Sequence, residues 1–355
     1  MRDARPSPRR LWSQIKPLLA FSDNKRSWGF LVAAAISVGL PVFVGAALDH
    51  FSSAVLASMG GLVILYMQQT GVARRMMTLA VCSFGFATSF ALGVLTSFNP
   101  YLSALTLALT AFMVTLVCRL FSVPPPGSFF FILVACIART LPFDLLLAAE
   151  RTGILIFGCI GACLVALIYS LVQQLFRDPR TASPVAAGDR RVAAIILESA
   201  VISVFIGGGY LAALLIQLDN PYWVPVSTAA IMQGATFRAV WHRNVHRIFG
   251  TFVGMALAWA IFSLSPDPWT LAVLVMLLSF LIEALVTRNY GLAVIFMTPL
   301  TVIFADSAYA AADTDRLIMA RMIDIVIGSV IGYVGGWVIH HPRLFSYLEQ
   351  RMLNR

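Results

Sequence analysis

The sequence predicts an all-α integral membrane protein of twelve transmembrane helices, arranged as two parallel six-helix repeats related by a pseudo-two-fold axis along the membrane normal. Three observations predict it. Composition comes first: 59% of residues are hydrophobic, 12% are charged and the mean hydropathy is +0.86, whereas a water-soluble domain has roughly a quarter of its residues charged. The second is a succession of apolar runs near the ~20 residues that cross about 30 Å of hydrocarbon. The third is the alternation of basic residues between successive gaps, the bias that fixes orientation in a membrane.

Residues 1–27 read as a basic, proline-containing cytoplasmic tail with an interfacial segment, without the cleavable apolar core of a signal peptide. The first repeat, 28–176, holds spans at 28–48, 51–69, 76–97, 100–120, 127–142 and 152–176. Asp49-His50, Arg74-Arg75, Asn99-Pro100 and the run Pro124 to Gly127 punctuate them. The polar, basic segment 177–193 is a cytoplasmic linker. The second repeat, 194–340, holds spans at 194–218, 221–236, 246–264, 268–287, 290–306 and 317–339, and 341–355 is a cytoplasmic tail.

With the N-terminus inside, 21 of the 25 Lys and Arg fall on cytoplasmic segments. Arg139, Arg151, Arg316 and Arg321 fall outside, together with Asp49, Asp144, Glu150, Asp219, Asp267, Asp306, Asp313 and Asp315. The halves also match each other. Gly85 answers Gly250, Asn99-Pro100-Tyr101 answers Asp267-Pro268-Trp269, and Arg151 with Gly158 answers Arg321 with Gly328, at offsets of 165, 168 and 170 residues. Six spans per copy is an even number, so the copies share an orientation and a site is expected where they meet.

Function classes narrow by what the loops lack. No phosphate-binding GxxxxGK[ST] occurs, and Lys16 and Lys25 are the only lysines. HExxH and GxSxG are missing too, so neither an enzyme nor a cofactor is expected, and a gradient must drive any transport. The basic residues are dispersed along the chain, which argues against nucleic acid. Cys82, Cys118, Cys136, Cys159 and Cys163 sit in apolar runs without CxxC spacing and read as packing residues. His242 and His246, one turn apart, make at most half a zinc site, so no metal is expected.

Charges within spans are the stronger lead, since an acid at a helix centre costs roughly 2.5–3.5 kcal/mol to insert. Glu283 and Asp324 are the proton-coupling candidates. Arg321, three residues before Asp324, offers the alternative of a helix-internal ion pair. Glu198, near the inner end of span seven, is placed to snorkel or to favour a helix N-terminus.

The densest pattern runs from Asp219 to Gly254. Tyr222 and Trp223 open an apolar run as interfacial anchors or as a stacking surface. Pro225 follows inside that run, where it should bend or break a helix. Gln233 is a polar residue toward the inner end. A basic loop with Arg238, Arg243 and Arg247 comes next, serving either topology or the bidentate grip of a carboxylate. Gly250, Thr251 and Gly254 then allow two helices to approach closely.

The order Tyr222-Trp223-Val224-Pro225, Gln233, a basic loop and Arg247-x-x-Gly250-Thr251-x-x-Gly254 resembles the signature of the fusaric acid resistance and aromatic acid exporter family, over residues 195–340. More distantly it is similar to the aluminium-activated malate transporters of plants. The resemblance implies a bacterial inner-membrane exporter of small organic anions, aromatic carboxylates foremost. Arg247, Arg243, Tyr222, Trp223, Gln233 and Arg321 would lie along the anion path, and a passive anion channel or a non-transporting membrane subunit is the alternative. A homodimer or a membrane-fusion or outer-membrane partner stays open as the assembly. Larger family members carry sizeable cytoplasmic domains after each six-helix block, in place of which this sequence shows a linker and a short tail.

Overall fold

The computed structural model describes residues 20–176, 192–306 and 314–353, and every regular element among them is helical. The first half holds α1 (Trp28–Ala47), α2 (Phe51–Gly61, prolonged by a 3-10 stretch, Leu62–Tyr66) and α3 (Val72–Leu95). It continues with α4 (Pro100–Leu120), α5 (Phe129–Ala138) and α6 (Leu145–Phe176). The second half holds α7 (Val192–Leu215), α8 (Trp223–Met232), α9 (Phe237–Ser263), α10 (Pro268–Leu285), α11 (Tyr290–Asp306) and α12 (Thr314–His340). A short α13 (Pro342–Leu353) follows. The expected interfacial segment and most of the linker lie outside the described residues.

Among the described residues, eight helices, α1, α3, α4, α6, α7, α9, α10 and α12, are long and apolar enough to cross a bilayer. The helices at the expected second, fifth, eighth and eleventh spans are apolar but shorter, with 10–17 residues. Their surroundings explain how they persist. Every residue of α8 is buried, as is α5 from Phe131 to Ala138, so protein rather than lipid surrounds them. The long helices turn apolar faces outward, with Phe84, Phe157 and Phe249 exposed at 75%, 74% and 68%. A core of short buried helices inside a sheath of long, lipid-compatible ones makes this a multi-pass membrane protein.

Local chemistry sets the boundaries. The Asn99 side chain accepts from the backbone N–H groups of Tyr101 and Leu102, with Pro100 in the first position of α4. Asp267 caps α10 the same way, accepting from the Thr270 N–H ahead of Pro268. Two expectations need correcting. Pro225 neither bends nor breaks a helix: it stands in the first turn of α8, where its missing N–H would have had no partner anyway. The basic segment 238–247 is not a loop. It forms the first turns of α9, which starts on Thr236 with its side chain accepting from the Ala239 N–H. Arg247 is therefore the eleventh residue of this helix, roughly 15 Å from its start at 1.5 Å per residue.

Helix pairing in one half recurs in the other. α2 packs on α6 as α8 packs on α12; α3 on α5 as α9 on α11; α3 on α6 as α9 on α12; and α1 on α6 as α7 on α12. Across the halves, α4 lies against α7 and α10 against α1, while the buried α5 and α8 meet each other.

Candidate functional site

Where the halves meet, a cavity of about 70 Å³ opens between α1, the 3-10 stretch, α5 and α8–α12. That is room for roughly five waters or part of a small organic molecule. Its wall is mainly apolar and aromatic, with Phe129, Phe130, Trp223 and Phe304, but it also carries Arg247, Glu283 and Arg321. Thr251, Ser279, Thr298 and Thr301 add hydroxyl groups.

Arg247 projects from α9 and is buried, 7% exposed. Its Nη2 lies 3.4 Å from the Ser227 hydroxyl of α8, and its Nε has no hydrogen-bond partner among the described residues. The two ion pairs found among those residues, Arg26–Glu283 and Arg119–Glu198, do not involve it. A guanidinium held this way in an apolar cavity is costly unless an anion joins it. The Ser279 hydroxyl on the same wall is likewise buried without a partner.

Arg321, from α12, is held differently. Its guanidinium lies 3.6 Å over the Trp223 ring and donates to the Thr301 hydroxyl. Cation–π stacking of this kind keeps a delocalised charge in a dry site. Asp324 follows one turn later, 1% exposed, and neither of its carboxylate oxygens has a hydrogen-bond partner among the described residues. Among the described residues, the ion pairs do not include the helix-internal Arg321–Asp324 pair weighed as an alternative.

The structure thus brings to one wall Trp223, Arg247, Thr251, Glu283 and Arg321, which the sequence singled out in separate roles. Tyr222 and Trp223 are not interfacial anchors. They are 8% and 1% exposed, with ring centroids 5.2 Å apart, because α8 lies inside the helix sheath. Gln233 and Arg243 sit away from the cavity at the other end of α8. Arg243 donates to the Ala230 carbonyl at 3.0 Å and lies over the Tyr290 ring. Gln233 donates to the Pro126 carbonyl at 2.9 Å, tying α8 to the approach of α5. Gly250 and Gly254 seat α9 on α11. Glu198 does not snorkel freely; Arg119 of α4 pairs with it at 2.6 Å.

Sequence reading missed Arg26, which pairs with Glu283 from 257 residues away. No local signal marks such a partner. Nor does the sequence show that Arg139 is buried, donating to the Ser103 and Ala135 carbonyls and to Thr106. Counted back 165 residues, Arg247 and Thr251 correspond to Cys82 and Phe86. Phe86 packs edge-on against Tyr66 and Phe131, at 5.9 and 5.0 Å between centroids.

Residues 206–335 match the fusaric acid resistance protein-like family. Over that stretch the resemblance read from the sequence is shown. It contains α8 and α9 whole and the cavity residues Trp223, Arg247, Thr251, Glu283 and Arg321. The chain is also similar to the uncharacterized membrane protein YvaC of Bacillus subtilis (strain 168), at 22% identity over 92% of this chain and 75% of that protein. No solved structure matches.

Proposed function

We propose that the protein moves small organic anions, aromatic monocarboxylates foremost, out of the cell across a bacterial inner membrane, with this cavity as the substrate site. The observation that carries the reading is Arg247, a buried guanidinium without an ion pair among the described residues, on an aromatic-lined wall. The other charges on that wall are engaged, Glu283 with Arg26 and Arg321 with Trp223 and Thr301. A buried guanidinium without an ion pair among the described residues suits a carboxylate, and the rings suit an aromatic body. Resistance to an aromatic carboxylic acid, the property in the family's name, agrees with this.

The architecture belongs to the same reading: twelve spans, both termini cytoplasmic, and two like-oriented six-helix repeats. Its support is the recurrence of helix pairings between the halves, together with the basic bias of the cytoplasmic segments. In the first repeat the places of Arg247 and Thr251 are taken by Cys82 and Phe86, and aromatic rings fill the space. One site per chain follows.

Energetics permits export without a coupled ion. Moving one charge through 100 mV is worth about 2.3 kcal/mol, and 1.4 kcal/mol is tenfold in concentration, so an inside-negative potential alone sustains roughly a fifty-fold gradient. Glu283 and Asp324 are the proton carriers if protons take part. The test is flux in proteoliposomes over a panel of aromatic and aliphatic carboxylates, with and without a pH gradient. Accumulation of aromatic monocarboxylates is expected. No accumulation of any acid would reject the proposal, unitary currents in a planar bilayer would replace the carrier with a channel, and undiminished pH-driven flux in both Glu283→Gln and Asp324→Asn would remove proton coupling.

A further inference from the structure

Resting on that reading of the cavity, we propose that residues 20–27 form a strap closing one mouth of the site, with Arg26 as its gating residue. The strap is non-helical and exposed along its length except at Arg26. It is fastened at one end to the turn between α10 and α11. There the Ser22 N–H donates to the Arg288 carbonyl at 2.9 Å, the Thr287 hydroxyl donates to the Asn24 carbonyl at 2.9 Å, and Arg288 lies over the Phe21 ring. At the other end the Ser27 hydroxyl meets the Tyr169 hydroxyl of α6 at 2.9 Å, and the chain enters α1. The strap therefore bridges α6 of the first half and the α10–α11 turn of the second.

Arg26 alone turns inward. It pairs with Glu283, a residue of the cavity wall, and its side chain is 24% exposed against 8% for the carboxylate. The pair therefore stands between cavity and solution. Two consequences follow from charge. Without Arg26, Glu283 would face Arg247 and Arg321 across the cavity as an uncompensated anion and compete with a bound carboxylate for them. An anion arriving at this mouth meets the Arg26 guanidinium first, competes with Glu283 for it, and so loosens the strap. The gate is thus opened by the charge type of its own cargo.

The test is accessibility, which needs no transported substrate. Thr298→Cys places a thiol on the cavity wall, and its reaction with a charged, membrane-impermeant methanethiosulfonate is followed by mass spectrometry of the peptide, in sealed vesicles of each orientation. Adding Arg26→Ala is expected to raise labelling at least about tenfold from the strap side and leave the opposite side unchanged. A second pair, Asn24→Cys with Thr287→Cys, keeps Arg26 and Glu283 and tethers the strap by an oxidised disulfide. It is expected to suppress labelling until reduced. Unchanged labelling in folded Arg26→Ala, an equal rise from both sides, or an indifferent tether would each overturn the gate. A substrate site that carries no anion would still leave these labelling results intact, so the two failures are separable.

Discussion

Gly254 lies where α9 and α11 approach too closely for a side chain. A methyl group on its Cα would stand 2.6 Å from the Ile295 carbonyl oxygen, 2.7 Å from Thr298 Cβ and 2.8 Å from Thr298 Oγ1. Ordinary contact begins at 3.4 Å, so Gly254→Ala obliges the helices to part by about 0.8 Å. Neither obstacle can swing away. One is backbone, and the other is a side chain held by its own hydrogen bond to the Val294 carbonyl at 2.9 Å. Overpacking of this kind costs typically about 1–3 kcal/mol, and the better helix propensity of alanine returns up to about 1 kcal/mol. A net loss of about 1–2 kcal/mol is expected. Gly250, with its nearest obstacle at 2.8 Å, should lose less. Gly161 in α6 and Gly208 in α7 have nothing within 4 Å of the added methyl, so alanine there should be neutral or stabilising. Unfolding in mixed micelles by denaturing detergent measures the series. Because α9 and α11 carry Arg247, Thr251 and Thr298 on the cavity wall, flux should fall in Gly254→Ala and hold in Gly161→Ala. Equal stability of these two variants would refute the close-packing argument.

Three further outcomes are expected. Arg247→Ala should cut anion flux by more than tenfold while Arg238→Ala, exposed on the first turn of the same helix, changes it little; equal effects, measured side by side in vesicles, would return Arg247 to a mere marker of topology. Glu198→Gln removes the pair with Arg119 that joins α7 to α4, but with side chains 30% and 19% exposed the loss should stay within about 1 kcal/mol in the same unfolding assay. At Asp267, the hydroxyl of Thr270 chiefly holds the carboxyl below its usual range. The sign is therefore fixed: its contribution to capping α10 is complete above the ordinary aspartate value near ~4 and fades as pH falls through the lower folded value. Unfolding midpoints in acid should drop less steeply for Asp267→Asn than for the parent.

The long helices were legible because each is an apolar run, and some open on a cap such as Asn99 or Asp267. Among the described residues, eight of the apolar runs became helices long enough to cross a bilayer and four became shorter ones. Their depth was less legible, because hydropathy reports a residue's company in sequence and not in space. Tyr222 and Trp223 read as interfacial, since aromatic pairs at the start of a run usually are, yet the outer helices cover α8 from end to end. Arg238 to Arg247 read as a loop because three arginines and two histidines in ten residues look aqueous; as a helix, the segment keeps Arg238 exposed and carries Arg247 inward on a buried face.

The same reasoning explains which part of the site had to escape the sequence. Arg247, Thr251, Gly250 and Gly254 are one helix face, so their spacing announces them together. Trp223 and Arg321 belong to different helices and become one object only because α8 packs on α12, where Gly328 allows the α8 backbone at Val224 to come close. Arg26 and Glu283 meet only because α1 packs on α10. Helix pairings recur between the halves, but no offset in the sequence says that Phe86 packs against Tyr66 and Phe131 in the first. On one face of α3, Cys82 and Phe86 lie in a dry core, whereas on one face of α9 Arg247 and Thr251 line a charged hollow.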